Sequence, residues 1–182
     1  MPQLAPRALQ ARLRRVRLVL MDVDGVLTDG RIFHIVDTRG HLVEFKGIHA
    51  QDSIGLSWLA QSGLRTGVIS GRLSQGVAAR MKILKMTYVY QHRLDKKAVF
   101  DEICRDARAE PREALYIGDD LPDIPVLRAA GVAVAVANAR PEVRRAADWV
   151  TRRAGGDGAV REVAEALLKS QGLWEKVLAR FR

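Results

Sequence analysis

Asp22 and Asp24 stand two residues apart, followed at once by Gly25. In an extended chain residues i and i+2 face the same way, so the two carboxylates share one side. The apolar run Leu18 to Met21 before them is short enough for a buried parallel strand, and Gly25 ends it. Both acids then sit at the strand's C-terminal edge, where open α/β sheets bind ligands. Carboxylates that close repel each other unless a hard cation such as Mg²⁺ neutralises them or one takes a proton. Either state suits phosphoryl chemistry, in which the first Asp attacks phosphorus and the second hands a proton to the leaving oxygen. An Asp-Gly turn chosen for backbone reasons gives the same letters, and this pair alone leaves both readings open.

Further along, Gly118-Asp119-Asp120-Leu-Pro-Asp123 again closes a short apolar run with acids. Mg²⁺ takes oxygens from one or two carboxylates, from waters and from substrate phosphate. Asp22, the Asp24 carbonyl and Asp119 make such a set. Asp120 and Asp123 are left to orient ligand waters or to cap the next helix. Between the acidic groups, Leu64 to Arg72 reads as a strand ending in Ser70-Gly71-Arg72. A strand-edge hydroxyl and the N–H groups of a glycine turn can grip phosphate oxygens. Gly71 lets the backbone come close, and Arg72 adds a cation. Ser-Gly is also ordinary turn vocabulary. Asp95-Lys96-Lys97 opens a helix and offers two lysines as a phosphate partner.

Taken in order, these groups resemble the motifs of the haloacid dehalogenase superfamily, whose first is Asp-x-Asp-Gly-x-x-Thr/Val. The longer Asp22-Val-Asp24-Gly25-Val-Leu-Thr28-Asp-Gly30 is similar to its capless sugar-acid phosphatase branch, which includes 3-deoxy-D-manno-octulosonate 8-phosphate phosphatases. The resemblance runs from about Val16 to Glu175. It implies that Asp22 is the nucleophile and Asp24 the acid and base. The phosphate-pumping branch has Thr at the second position, so Asp24 implies rapid hydrolysis of the phosphoenzyme. Ser70 and Gly71 would bind phosphate, and Lys96 is preferred to Lys97 because it fits the family's Asn/Asp-Lys. Lys46 to Leu56 aligns without gaps on Lys-x-Phe-x-x-Arg-Asp-Gly-x-Gly-Ile, but Gln51 and Ser53 stand where Arg and Gly are frequent. Asp52 is either a substrate contact or the N-cap of its helix. Thr151 to Val163 is similar to the branch's C-terminal signature. Arg152 or Arg153 would reach the substrate's anionic groups, and Arg72 its phosphate end.

The elements that must position these residues alternate as βα units, which implies a Rossmann-like, mostly parallel sheet between helices in one domain of 182 residues. The apolar runs 31–36 and 41–45 flank Asp37-Thr-Arg-Gly40 and read as a hairpin flap over about 31–46. Helices are expected near 5–14, 74–85, from Asp95, and over 157–171. Strands are expected at 87–90, 131–136 and 148–150. Only 45 residues separate Asp24 from Ser70 and 25 separate Ser70 from Lys96, too few for a cap domain. The site's cover is therefore expected from outside the domain, with the apolar flap as a liable edge on a monomer. Capless relatives form tetramers, which implies a homotetramer. Gly155, Gly156 and Gly158 are read as a flexible approach to a tail over about 151–182 that closes on the mouth, with a tail helix docked on its own subunit as the alternative.

The net charge of +9 invites nucleic acid as a partner. Yet residues 1–17 hold five Arg and no acid, and residues 151–182 seven bases against four acids. The middle of the chain is close to neutral. Aromatic residues are 5% of the chain, which also disfavours stacking of single strands. No run approaches the ~20 apolar residues of a membrane span. No secretory signal is read, and Cys104 stands alone, so the expectation is a cytoplasmic enzyme without a disulfide framework. The expected activity is removal of phosphate from 3-deoxy-D-manno-octulosonate 8-phosphate for lipopolysaccharide precursors. A nonulosonate 9-phosphate is the alternative substrate, and a nucleic-acid module on a vestigial phosphatase fold is the alternative class.

Overall fold

The computed structural model describes residues 6–182. After α1 (Pro6–Leu13), the buried strand β1 (Leu18–Met21) leads to a hairpin of β2 (Phe33–Val36) and β3 (Leu42–Phe45). Then come α2 (Ala50–Gln61), β4 (Arg65–Ile69), α3 (Gln75–Ile83), β5 (Tyr88–Tyr90), α4 (Lys96–Asp106) and β6 (Ala114–Gly118). The remainder is α5 (Ile124–Ala129), β7 (Val132–Ala135), α6 (Pro141–Ala146), β8 (Trp149–Val150), α7 (Ala159–Ser170) and α8 (Trp174–Leu178).

The main sheet runs β5-β4-β1-β6-β7-β8, parallel throughout. β1, β6 and β7 are uniformly buried and almost wholly apolar, as strands covered on both faces must be. The register aligns Met21 with Val68 on one side and with Ile117 on the other. The ends of β1, β4 and β6 therefore meet, and residues 22, 70 and 119 leave the sheet at one edge. The α/β architecture and the absence of room for a cap follow the sequence reading. The hairpin pairs Phe33 with Phe45 and Ile35 with Val43, and Asp37 fixes its turn by accepting from the N–H of Arg39 and of His41.

Two expectations are corrected. Asp52 does not cap its own helix, which starts at Ala50 after His49. Its carboxylate is fully buried and accepts instead from the N–H groups of Gly158 and Arg161, at 3.3 and 2.7 Å. It thus caps α7 from across the core. A buried carboxylate gains more there, because the first N–H groups of a helix have no intrahelical partner. Nor are the glycines at 155 and 156 a hinge. A Cβ on Gly155 would run into the carbonyl of Gly25, and the N–H of Gly156 donates to Val26 at 3.0 Å. The turn after β1 and the entry to α7 are packed backbone to backbone, where a side chain cannot fit.

The segment 151–182 is consequently docked on the core through α7 and α8. Val160, Val163, Ala164, Leu167 and Leu168 of α7 are buried, and α7 packs on α2 and α1. Trp174 meets Trp58 of α2 edge-on at 5.5 Å, and the guanidinium of Arg161 covers the same indole at 3.9 Å. Cys104 is buried, as expected for a small apolar filler.

Candidate active site

Asp22 leaves β1 with its N–H bonded to Ile117 at 3.0 Å, which keeps it in the sheet's register to the last residue. The chain then turns sharply. Buried Thr28 shapes this turn, its hydroxyl accepting from Gly25 and Gly30 and donating to the Val23 carbonyl. Gly25 has φ +94°, and a Cβ there would collide with the Asp119 carboxylate. Only glycine lets the turn and Asp119 come together.

The centre of the site is a ladder of opposite charges. Lys96 Nζ lies 3.0 Å from Asp22 Oδ1 and 2.7 Å from Asp123 Oδ1. Asp95 caps α4 through the N–H of Ala98 and presents Lys96 inward, whereas Lys97 turns out to Asp101 at 2.7 Å. Asp123 is fully buried and saturated. Oδ1 also accepts from Tyr116 Oη at 2.8 Å, and Oδ2 accepts from the N–H of Asp119 and of Asp120. Asp120 caps the following turn through the N–H of Leu121.

Asp22, Asp119 and Asp123 bring one oxygen each within 4.8 Å of one another. Burial raises the Asp22 carboxyl to about 6 against the pull of Lys96, with Asp123 adding repulsion. Burial, then the charges of Asp22 and Asp123, raises Asp119 to about 7. For Lys96 burial works against the charge, but Asp22 and Asp123 outweigh it and hold the ammonium above its ordinary value. Asp119 Oδ1 is buried with no hydrogen-bond partner. A carboxylate oxygen left bare beside other acids fits a divalent cation, which would supply the missing partner and neutralise the cluster. Asp123 has no oxygen to spare for it.

Ser70 is buried at the end of β4, its N–H bonded to Tyr90 at 2.9 Å and its Oγ accepting from the N–H of Arg72 at 3.2 Å. Ser70, Gly71 and Arg72 share a cleft of about 420 Å³ with Asp22, Asp24, Lys96, Asp119 and Asp120. Eleven residues singled out by type, spacing or resemblance lie in the structure as follows. Asp22, Asp24, Ser70, Gly71, Arg72, Lys96, Asp119 and Asp120 line the cleft, and Asp123 lies directly behind it. Asp52 and Arg153 are not brought to it: the first caps α7, and the second pairs with Asp157 at 3.7 Å.

Three side chains at the cleft escaped the sequence reading. Lys46 and Glu44 reach Asp24 and Arg72 from the hairpin, and their i, i+2 spacing on a strand was the available signal. Burial works to raise the Glu44 carboxyl, but bonds from Ser74, Arg72 and Lys46 outweigh it and hold the group below its ordinary value. Arg93 also lines the cleft, held by its N–H to Ser70 O at 3.1 Å. Nothing in its local sequence marks it. Where Ser53 replaces the frequent glycine, its hydroxyl accepts from Arg80 Nη2 at 2.8 Å.

Residues 76–163 match the model of the haloacid dehalogenase-like hydrolases. The 3-deoxy-D-manno-octulosonate 8-phosphate phosphatase of Escherichia coli K12 is 39% identical over 162 residues, covering 89% of this chain and 84% of that one. The chain belongs to this haloacid dehalogenase-like family. The Yersinia pestis phosphatase of the same name is 38% identical over 160 residues, covering 88% of this chain and 83% of that one. Among solved structures, the Moraxella catarrhalis phosphatase superposes with a TM-score of 0.91 at 36% identity, covering 98% of this chain and 100% of that one. That structure holds a magnesium ion, a phosphate ion and a KDO molecule. The cobalt-bound Haemophilus influenzae enzyme superposes at 0.82 and 34% identity, over 88% of this chain and 92% of that one.

Proposed function

We propose that this chain is a Mg²⁺-dependent phosphomonoesterase that hydrolyses 3-deoxy-D-manno-octulosonate 8-phosphate to the free sugar acid and phosphate. The observation that carries the reading is the bare Asp119 oxygen beside Asp22 and Lys96, in a fold that its Moraxella relative loads with magnesium, phosphate and KDO. Asp22, the Asp24 carbonyl and Asp119 would hold the metal, with Asp120 and Asp123 behind them. Bound there, Mg²⁺ supplies positive charge to the phosphate oxygens and keeps the clustered carboxylates ionised.

Asp22 attacks phosphorus; its new P–O bond forms as the P–O bond to the sugar breaks. Asp24 gives its proton to the departing sugar oxygen. Water then attacks the aspartyl-phosphate, Asp24 takes its proton, and the P–O bond to Asp22 breaks to release phosphate. Ser70, the N–H groups after it and Lys96 bear the charge on the phosphoryl oxygens in both steps. Arg72 stands at the leaving-group side of the cleft, next to Asp24.

A nonulosonate 9-phosphate is the second reading, kept because Gln51 and Ser53 depart from the octulosonate pattern in the segment where sugar recognition is expected. The test is phosphate release from a panel of sugar-acid phosphates, with Mg²⁺ and with chelator. The octulosonate 8-phosphate should give the highest kcat/KM, and chelator should remove the activity. A higher kcat/KM on the nonulosonate ester would select the second reading.

We further propose that the chain acts as a homotetramer in the cytoplasm, in lipopolysaccharide precursor synthesis; the assembly is supported by the hairpin. Phe33, Ile35, Val36, Leu42, Val43 and Phe45 are all exposed on it, and Phe33 stacks on Phe45 at 5.3 Å. A two-stranded ribbon is marginal alone in water, and burying such side chains between copies would stabilise it. Among the described residues no helix is long and apolar enough to cross a membrane.

A further inference from the structure

Asp24 owes its geometry to the hairpin. Lys46, one residue past β3, places Nζ 2.7 Å from Asp24 Oδ1 and 3.0 Å from Oδ2. The lysine side chain is 3% exposed, whereas that of Asp24 is 19% exposed. Glu44, two residues earlier on the same strand face, puts Oε1 3.3 Å from the same ammonium and Oε2 3.2 Å from Arg72 Nη2. Arg72 in turn brings Nε to 3.8 Å from Asp24 Oδ2. Among the described residues no other side chain donates to Asp24. An ammonium buried to this degree must be paired, and here both partners are carboxylates.

We infer that Lys46 is a positioning residue, whose ammonium fixes the direction of the Asp24 carboxylate and thereby makes the β-hairpin part of the catalytic machinery. One cation shared by both oxygens leaves a carboxylate a single orientation. Without it, the remaining cation near Asp24 is Arg72, on one side only and beyond hydrogen-bond distance, and the side chain would turn towards it. Misplacing a reacting group by about 1 Å costs up to about 10²-fold in rate. Glu44 completes the device: it bridges Lys46 and Arg72, giving each cation a second carboxylate that fixes where it stands beside Asp24.

This inference rests on the reading of Asp24 as the proton donor and acceptor, and the experiment separates the two. With p-nitrophenyl phosphate the nitrophenolate leaves without a proton. Forming the aspartyl-phosphate is then independent of Asp24, whereas its breakdown still requires Asp24 to take a proton from water. kcat/KM reports formation, and kcat reports the slower step. Lys46→Met should lower kcat and KM together, by up to about 10²-fold, leave kcat/KM near that of the wild type, and make acid-trapped phosphoenzyme accumulate. On the sugar-acid phosphate, whose leaving oxygen needs the proton, kcat/KM should fall as well. Lys46→Arg should recover most of the loss, since a guanidinium can hold both oxygens. A purely structural lysine would lower kcat/KM on both substrates and trap no phosphoenzyme. That pattern, or unaltered kinetics in Lys46→Met, overturns the role of Lys46 alone. Lys46→Gln, read in the same way, replaces Lys46→Met if the latter does not fold, and failure of all three variants to fold also overturns it. A wild type that forms no phosphoenzyme overturns the reading of Asp22, and this inference with it.

Discussion

At the scale of single residues, Asp123 and Asp119 sit side by side and do opposite things. Asp123 spends every oxygen on Lys96, Tyr116 and two N–H groups, so its removal leaves the buried ammonium with Asp22 alone and strips the Tyr116 hydroxyl and both N–H groups of their partner. Asp123→Ala should cost about 3–5 kcal/mol in denaturant unfolding. Asp119→Asn should fold normally and lose Mg²⁺ affinity, because its Oδ1 has no partner within the protein. Equal Mg²⁺ affinities for wild type and Asp119→Asn would show the metal to be held elsewhere. The raised carboxyls also set a pH signature. Asp22 and Asp119 titrate near 3.8 when unfolded, and at about 6 and about 7 in the folded, metal-free chain. Between those values the folded state binds more protons than the unfolded one. Metal-free stability therefore falls as pH rises from about 4 to about 7 and levels off above. Mg²⁺ competes with the same protons, so it should raise the melting temperature more near pH 8 than near pH 5. An equal rise at both would contradict the assignment.

Elements were legible in proportion to how local their causes are. The run Leu18 to Met21 and the acids after it place a strand end and its carboxylates without any tertiary information. The same holds for Ser70 after β4; between Lys96 and Lys97 the resemblance chose, and the cap at Asp95 gives the local cause that turns Lys96 inward. The turn Asp37 to Gly40 likewise announces the hairpin. What was not legible depends on contacts across the chain. Asp52 looks like a local cap, and only the fold shows that it serves a helix more than a hundred residues away. Gly155 and Gly156 look like a hinge because free and tightly packed glycine are the same letters. Lys46 and Glu44 become site residues only when the hairpin folds back on β1. The amphipathic face of α7 was visible, but its partner was not. Leu167→Ala should therefore cost about 2–5 kcal/mol, as a core substitution does, rather than leave stability unchanged as on a mobile tail. Thermal unfolding decides between them, and a chain ended after Val150 should fail to fold.

For the whole molecule, the proposed chemistry and the proposed assembly converge on the hairpin. One end of β3 carries Lys46 to Asp24, and its strands expose six large apolar side chains to solvent. Copies that pack these strands together would hold Lys46 in place and roof a cleft that the chain itself leaves open. Val43→Lys should lower the mass seen in sedimentation and reduce kcat on the sugar-acid phosphate; a variant of unchanged mass would remove the hairpin from the interface. Among the described residues, those lining the cleft come from the nearly neutral middle of the chain and none from its basic ends. All of this stands on one covalent event at the edge of the sheet. The direct measurement is mass spectrometry of peptides from enzyme quenched in acid during turnover of 3-deoxy-D-manno-octulosonate 8-phosphate with Mg²⁺. The peptide holding Asp22 should carry one phosphoryl group in the wild type, more of it in Asp24→Asn given p-nitrophenyl phosphate, and none in Asp22→Asn. Turnover by Asp22→Asn, or a phosphoryl group on any other residue, would contradict the account.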